Sequence, residues 1–288
     1  MSLTNSDCLQ RAATESILKK HYAFLKDIFI DQISQSSYPA LGSLDFADFA
    51  VQCKFLDNDP NVNLSTIDRT FIAATLQVEG QGARESDIPA DKLNRFEFME
   101  ILVRLANIKF IETKKIKGFD EATAHLIEDY IMPNYTPEPW QEFREKELWT
   151  IDVNDILEAN QEHLRKIYNS FLSQLHKAMD LRDCLTACMH TGPIDVSEKD
   201  IALAYGMSKM TVVDELKHYK QYGKMEFVEW LEFIGRISDI RFRHSDMASI
   251  PLAAKIEIVL DDLLAGFGLV RNDVEIEVCE FSESDDDY

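Results

Sequence analysis

Residues 93–110 read LNRFEFMEILVRLANIKF, and residues 225–242 read MEFVEWLEFIGRISDIRF. The two stretches align without a gap at an offset of 132 residues: Glu97 falls on Glu229, Phe98 on Trp230, Glu100 on Glu232, Arg104 on Arg236, Ile108 on Ile240, Lys109 on Arg241 and Phe110 on Phe242. In the first copy Phe98, Ile101, Leu102, Leu105 and Ile108 follow the i, i+3, i+4, i+7, i+10 spacing of one helical face. Trp230, Phe233, Ile234, Ile237 and Ile240 repeat that face in the second. An amphipathic helix that recurs in this way predicts a duplicated lobe.

Outward from these helices, the same order of elements appears twice. A helical pattern over about residues 9–34 carries Leu18, Tyr22, Leu25, Phe29 and Ile33 on one face. Residues 35–43, with Ser36, Ser37, Pro39 and Gly42, break it; Ser43 or Asp45 is placed to cap the next helix, which carries Phe46, Phe49, Cys53 and Leu56. A polar stretch over 57–65 precedes a helix over about 67–76, and a second loop, 79–92, leads into the first quoted stretch. After Lys114, Lys115 and Lys117 a helix covers about 120–131. In the second half, 163–175, 181–189, 197–205 and 254–263 take the corresponding places. The pattern predicts an all-α fold of two lobes, 1–132 and 151–271, with a linker over 133–150 and an acidic tail over 272–288. Pro133, Pro137 and Pro139 mark the boundary. Trp140 and Trp149 predict that the linker docks on a lobe, because each would otherwise expose a large apolar area.

Composition agrees with helices. Phe is abundant at 17, while Gly at 10 and Pro at 8 are sparse. A length of 288 residues suffices for two cores. With 30 basic against 51 acidic residues, the net charge of −21 argues against nucleic acid or an anionic membrane as the main partner and favours basic or apolar helical segments. Cys8, Cys53, Cys184, Cys188 and Cys279 form no secretory framework, and no apolar run follows Met1, which predicts a reduced, cytoplasmic protein. No apolar run reaches the ~18 residues of a membrane span. Beyond Arg271 come eight acids and no basic residue. There Val274, Ile276 and Val278 alternate with acids as a strand added to a partner's sheet would, or belong to a solvated tail.

A helix, a polar loop ending in an acid and a second helix opening with an aromatic is the plan of the EF-hand. In this the chain resembles the calmodulin-like EF-hand superfamily, as two lobes of paired hands over roughly 45–110 and 180–242. In that family a twelve-position loop binds calcium through its first, third, fifth, seventh, ninth and twelfth places, with an apolar residue at the eighth. The resemblance implies a first loop with Asp57 first, Asp59 third, Asn61 fifth, Asn63 seventh through its carbonyl, Leu64 eighth, Ser65 ninth and Asp68 twelfth, holding one Ca2+ or Mg2+. Val62 stands where the turn glycine belongs, Pro60 stiffens the fourth place and Asp68 is shorter than the bidentate Glu, so a polar turn without an ion is the competing reading. The remaining loops are poorer. Leu93 and Glu97 follow Ser86, Ile88, Ala90 and Lys92; Ile194, Asp195 and Glu198 follow Ala187, Met189, Thr191 and Pro193; Met225, Glu226 and Glu229 follow Lys217 or His218, Lys220 and Tyr222. Paired loops are expected to meet at their eighth places, and Glu97 is expected to cap or pair within its own helix.

Cys184, Cys188 and His190 invite a zinc reading, but an i, i+4 cysteine pair with no second Cys/His pair reads as core. No nucleophile elbow, phosphate loop, HExxH or GxGxxG is present, which predicts a non-enzymatic protein. The resemblance implies an adaptor gripping helical segments of partner proteins in apolar grooves, lined by Phe98, Ile101, Leu105, Trp230, Phe233 and Ile237 unless that stripe is each lobe's own core. The chain also looks like EF-hand proteins of ciliary axonemes, which implies a place in a large cytoskeletal complex of the cilium. The alternative is a calcium-switched sensor or regulatory subunit acting through the 57–68 loop.

Overall fold

The computed structural model describes residues 5–36, 38–57, 61–75, 89, 91–189 and 194–274, and the regular structure among them is all helical. In chain order the first half holds α1 (Asn5–Lys20), α2 (Tyr22–Gln35), α3 (Ser43–Gln52), α4 (Leu64–Thr75), α5 (Arg95–Ala106) and α6 (Phe119–His125). Both α5 and α6 continue in π-helical turns, Asn107–Ile111 and Leu126–Ile131. A short α7 (Trp140–Phe143) runs into a π-turn, Arg144–Leu148. The second half holds α8 (Ile151–Ala159), α9 (Gln161–Ser170), α10 (Leu181–Met189), α11 (Glu198–Ser208), α12 (Glu215–His218), a 3-10 turn at Tyr219–Gly223, α13 (Phe227–Phe242) and α14 (Leu252–Gly266). The single helix expected over 9–34 is two. The chain breaks at His21, where α1 leaves to lie along α6 while α2 turns into the core. Lys20 and His21 hold that corner by facing Glu128 Oε1 at 2.7 and 3.0 Å.

Each lobe has its own core. In the first, Phe98 receives Phe29 and Phe49, both at 5.7 Å between ring centroids, and Phe46 at 6.3 Å. In the second, Trp230 stacks on Phe233 at 5.2 Å. The first core runs beyond residue 132 to Tyr135, whose hydroxyl donates to Asp31 Oδ2 at 2.5 Å, and Leu148 already belongs to the second. Burial raises the Asp31 carboxyl above the usual range despite that bond. The segment expected as a linker is a strap tied at both ends. Trp140 Nε1 donates to Asp27 Oδ1 at 2.9 Å in the first lobe, and the Trp140 carbonyl accepts from Arg236 Nη2 at 2.8 Å in the second. Arg144 adds an ion pair to Glu232 at 2.8 Å. Trp140 docks in this way, whereas Trp149 is 65% exposed.

A third, smaller cluster joins the lobes directly. The Tyr38 ring meets Tyr205 at 5.4 Å and Tyr222 at 5.9 Å, both edge-on, beside Ala40, Val212 and Tyr219. α2 lies along α11 closely enough that a Cβ on Gly206 would come within 2.1 Å of Ser34 Oγ, so only glycine fits there. Arg95 crosses the same seam: its Nη2 donates to the Val212 carbonyl at 2.8 Å and its backbone N–H to Glu215 Oε2 at 3.1 Å. Tyr222 OH donates to the other Glu215 oxygen at 2.6 Å.

The seam is therefore testable at Tyr38. Tyr38→Ala is expected to lower stability by about 3–5 kcal/mol and to split one urea transition into two as the lobes uncouple. Tyr38→Phe removes a buried hydroxyl that has no partner among the described residues, and is expected to be neutral or stabilising by about 1 kcal/mol. Unchanged single-transition unfolding of Tyr38→Ala contradicts the fused arrangement.

Candidate functional site

Two backbone bridges organise the loops. Leu41 N–H donates to the Leu93 carbonyl at 2.8 Å and Leu93 N–H returns to Leu41 at 2.9 Å; in the second lobe Met225 N–H donates to the Met179 carbonyl at 2.7 Å. All four side chains are fully buried. If the bridge residue is counted as the eighth place of the expected twelve-place loop, the places fall on 34–45 and 86–97 in the first lobe, of which 37, 86–88 and 90 lie outside the described residues, and on 172–183 and 218–229 in the second. Leu93 and Met225 stand where the sequence places them, but their partners differ. Leu64, expected as an eighth-place residue, is the first residue of α4 and 52% exposed, and Ile194 lies between α10 and α11. Among the described residues, neither 57–68 nor 187–198 contributes to a bridge. The physical reason is that a bridge needs extended backbone on both sides, and residues 64–68 are already helical.

The six residues expected as ligands follow from this placement. Asn63 Oδ1 accepts from Thr66 N–H at 3.0 Å, the bond by which a residue caps a helix N-terminus, and its carbonyl accepts from Ile67 N–H at 3.0 Å. The Asn61 carbonyl accepts from Thr66 Oγ1 at 3.0 Å, and the Ser65 carbonyl from Arg69 Nε at 3.2 Å. Asp68 sits exposed on α4 beside Arg69, and Asp57 lines a hollow with Lys54, Lys109 and Lys115. Asp59 lies outside the described residues. Asn61 and Asn63 thus serve the start of α4.

The twelfth-place acids are drawn into their own chain. Glu97 Oε2 accepts from Asn94 N–H at 3.0 Å while Glu97 N–H donates to Asn94 Oδ1 at 3.1 Å, a closed capping box of the kind expected for this residue. Asp183 and Asp180 form the same box, and His176 Nε2 lies 2.6 Å from Asp183 Oδ2, so the ligand-type atoms of His176, Asp180 and Asp183 lie within 4.8 Å of one another. Glu229 is the most engaged: Oε2 accepts from Glu226 N–H at 2.7 Å and from Lys209 Nζ at 2.5 Å, and Oε1 from Met210 N–H at 2.8 Å. Lys209 Nζ also donates to the Lys224 carbonyl.

The residues expected to line partner grooves take the other reading. Phe98, Ile101, Leu105, Trp230, Phe233 and Ile237 are all buried in the two cores, because the other helices of each lobe close over the stripe. Cys184 and Cys188 are buried on the same side, where desolvation pushes the Cys188 thiol up to about 12 and raises Cys184 as well; His190 lies outside the described residues. Among the described residues, exposed apolar surface lies elsewhere, and one patch of it forms a groove. Trp149, Ile151 and Val228 are 65%, 77% and 76% exposed and share one groove between α8 and α13 with Leu157 and Leu231. The signal for it in the sequence is Val228, an apolar residue out of phase with the stripe of its own helix. No family model matches the chain, and comparison with curated proteins and with solved structures finds no match.

The hydrogen bond to Asp183 holds His176 above the usual histidine range. A raised histidine stabilises the fold below its unfolded pKa and loses that contribution as pH climbs through the raised folded value. NMR titration is expected to place His176 above about 6.5 in the wild type and back near it in Asp183→Asn. Equal midpoints in the two proteins contradict the pairing.

Proposed function

We propose that this chain is a non-enzymatic, calmodulin-like adaptor built of two EF-hand-type pairs, and that it carries a helical segment of a partner protein on the outer face around Trp149. The exposure of Trp149, Ile151 and Val228 along one groove is the observation that carries this reading. An indole and two aliphatic side chains left in water on one face are costly in a monomer and are what an interface core is made from. The net charge of −21 favours a basic segment as the occupant, and Asp152, Glu158 and Glu226 are exposed along the same elements.

Support for the paired hands comes from order and register. In each lobe two helix–loop–helix units meet through a buried bridge, and an acid four places on opens the following helix: Asp45 and Glu97, then Asp183 and Glu229. The closed cores favour a lobe that does not open and shut, so the adaptor reading is preferred to the sensor. Membership of a larger assembly, such as the ciliary axoneme, extends the same proposal. Among the described residues no helix is long and apolar enough to cross a membrane.

The test is a double variant at the groove. Trp149→Ala with Val228→Asp is expected to reduce retention of co-purifying partner proteins at least about tenfold, as loss of an interface anchor does, with the melting temperature nearly unchanged. Full retention by the folded double variant overturns the reading. Calorimetry is expected to record no calcium-binding heat that disappears in Asp57→Ala; such a heat would restore the sensor.

A further inference from the structure

In a loop of twelve places, the seventh carbonyl and the twelfth carboxylate are two of the groups that turn toward the bound cation. In the 218–229 loop these are the carbonyl of Lys224 and the carboxylate of Glu229. Both face the same atom, Lys209 Nζ, which donates to Glu229 Oε2 at 2.5 Å and to the Lys224 carbonyl. The side chains of Lys209 and Glu229 are 5% and 6% exposed, so this is a buried charge pair, not a surface one. We infer that the cation place of the fourth loop is filled by the chain's own Lys209 ammonium, which holds the loop permanently in the shape that an ion would otherwise impose.

Local structure delivers the ammonium there. α11 stops at Ser208, and Lys209 takes an extended backbone at φ −70° and ψ 136°, from which its side chain reaches across to α13. Met210, one residue on, adds its N–H to Glu229 Oε1 at 2.8 Å, so both carboxylate oxygens are engaged. Charge decides between an ammonium and a divalent ion. One buried carboxylate is neutralised by a single positive charge, whereas Ca2+ would leave an excess in a place whose first and third positions are His218 and Lys220. The fifth position offers no donor either, because Tyr222 OH is committed to Glu215. In the 172–183 loop the twelfth-place Asp183 is met instead by His176 from within the loop, where the imidazole is 39% exposed and the pair is open to water.

The inference rests on the paired-hand reading, and the experiment separates the two. Calcium binding is measured by calorimetry on the full chain in two grafted proteins. Both carry His218→Asp and Lys220→Asp, which restore the first and third carboxylates and leave Tyr222 in its packing; one also carries Lys209→Met. The expected result is that the protein with Lys209→Met binds calcium and the protein that keeps Lys209 binds at least about tenfold more weakly, because the ammonium competes for the same oxygens. Equal calcium affinity with and without Lys209 overturns the inference and leaves the hand reading standing. No binding by either folded protein overturns the hand reading, and the inference with it.

A second measurement needs no graft. In otherwise wild-type protein, Lys209→Met is expected to lower the melting midpoint by roughly 10 °C by leaving Glu229 buried and unpaired, and Lys209→Met with Glu229→Gln is expected to recover much of that loss. A Lys209→Met variant that melts with the wild type overturns the inference.

Discussion

The bridges between Leu41 and Leu93 and between Met179 and Met225 are the constraint on which the rest depends. Each consists of one or two backbone hydrogen bonds between fully buried residues, and each ties together loops that are flanked by helices on both sides. Fixing a bridge therefore fixes where the following helices begin. Asn94 and Glu226 come directly after Leu93 and Met225, and each opens its helix with a capping box closed by Glu97 or Glu229. The apolar stripes of α5 and α13 then point inward, and the neighbouring helices close over them. That closure is why Phe98 and Trp230 sit in cores and not in grooves.

Charged groups fix the remaining degrees of freedom. Arg95 and Glu215 cross the seam between lobes, Arg144 and Arg236 converge on Glu232 beneath the strap, and Lys209 locks Glu229. Buried pairs of this kind add little stability over an apolar core, but breaking one leaves a charge stranded, so they specify one arrangement against others. Together with Tyr38 between Tyr205 and Tyr222, they make the two lobes one unit. Under the adaptor proposal such stiffness would favour binding, since a partner docking near Trp149 would meet a surface already formed.

The helical fold was legible in the sequence, and the two best-defined helices were the most legible of all. The stripes of Phe98 to Ile108 and Trp230 to Ile240 are long and strictly periodic, and α10 occupies the expected 181–189. The register of the loops was not legible. Asn61 and Asn63 read as oxygen ligands, yet the same residue types cap helices, as Asn63 does for α4. The loop that bridges to Leu93 holds Ser36, Tyr38, Pro39 and Gly42, and so reads as a plain break. The corner at His21 was hidden because the apolar pattern runs through it. The Lys209–Glu229 contact spans 20 residues and leaves no periodic trace.

The Tyr38 seam and the Trp140 strap join the two lobes into one body, and on the adaptor proposal no ion is needed to hold it. Pulsed electron–electron distance measurements between spin labels on exposed positions of α3 and α14 test it directly, with the protein in chelator and then in calcium. The account predicts one narrow distance distribution that is the same in both conditions. A broad distribution, or a distance that shifts when calcium is added, would contradict it.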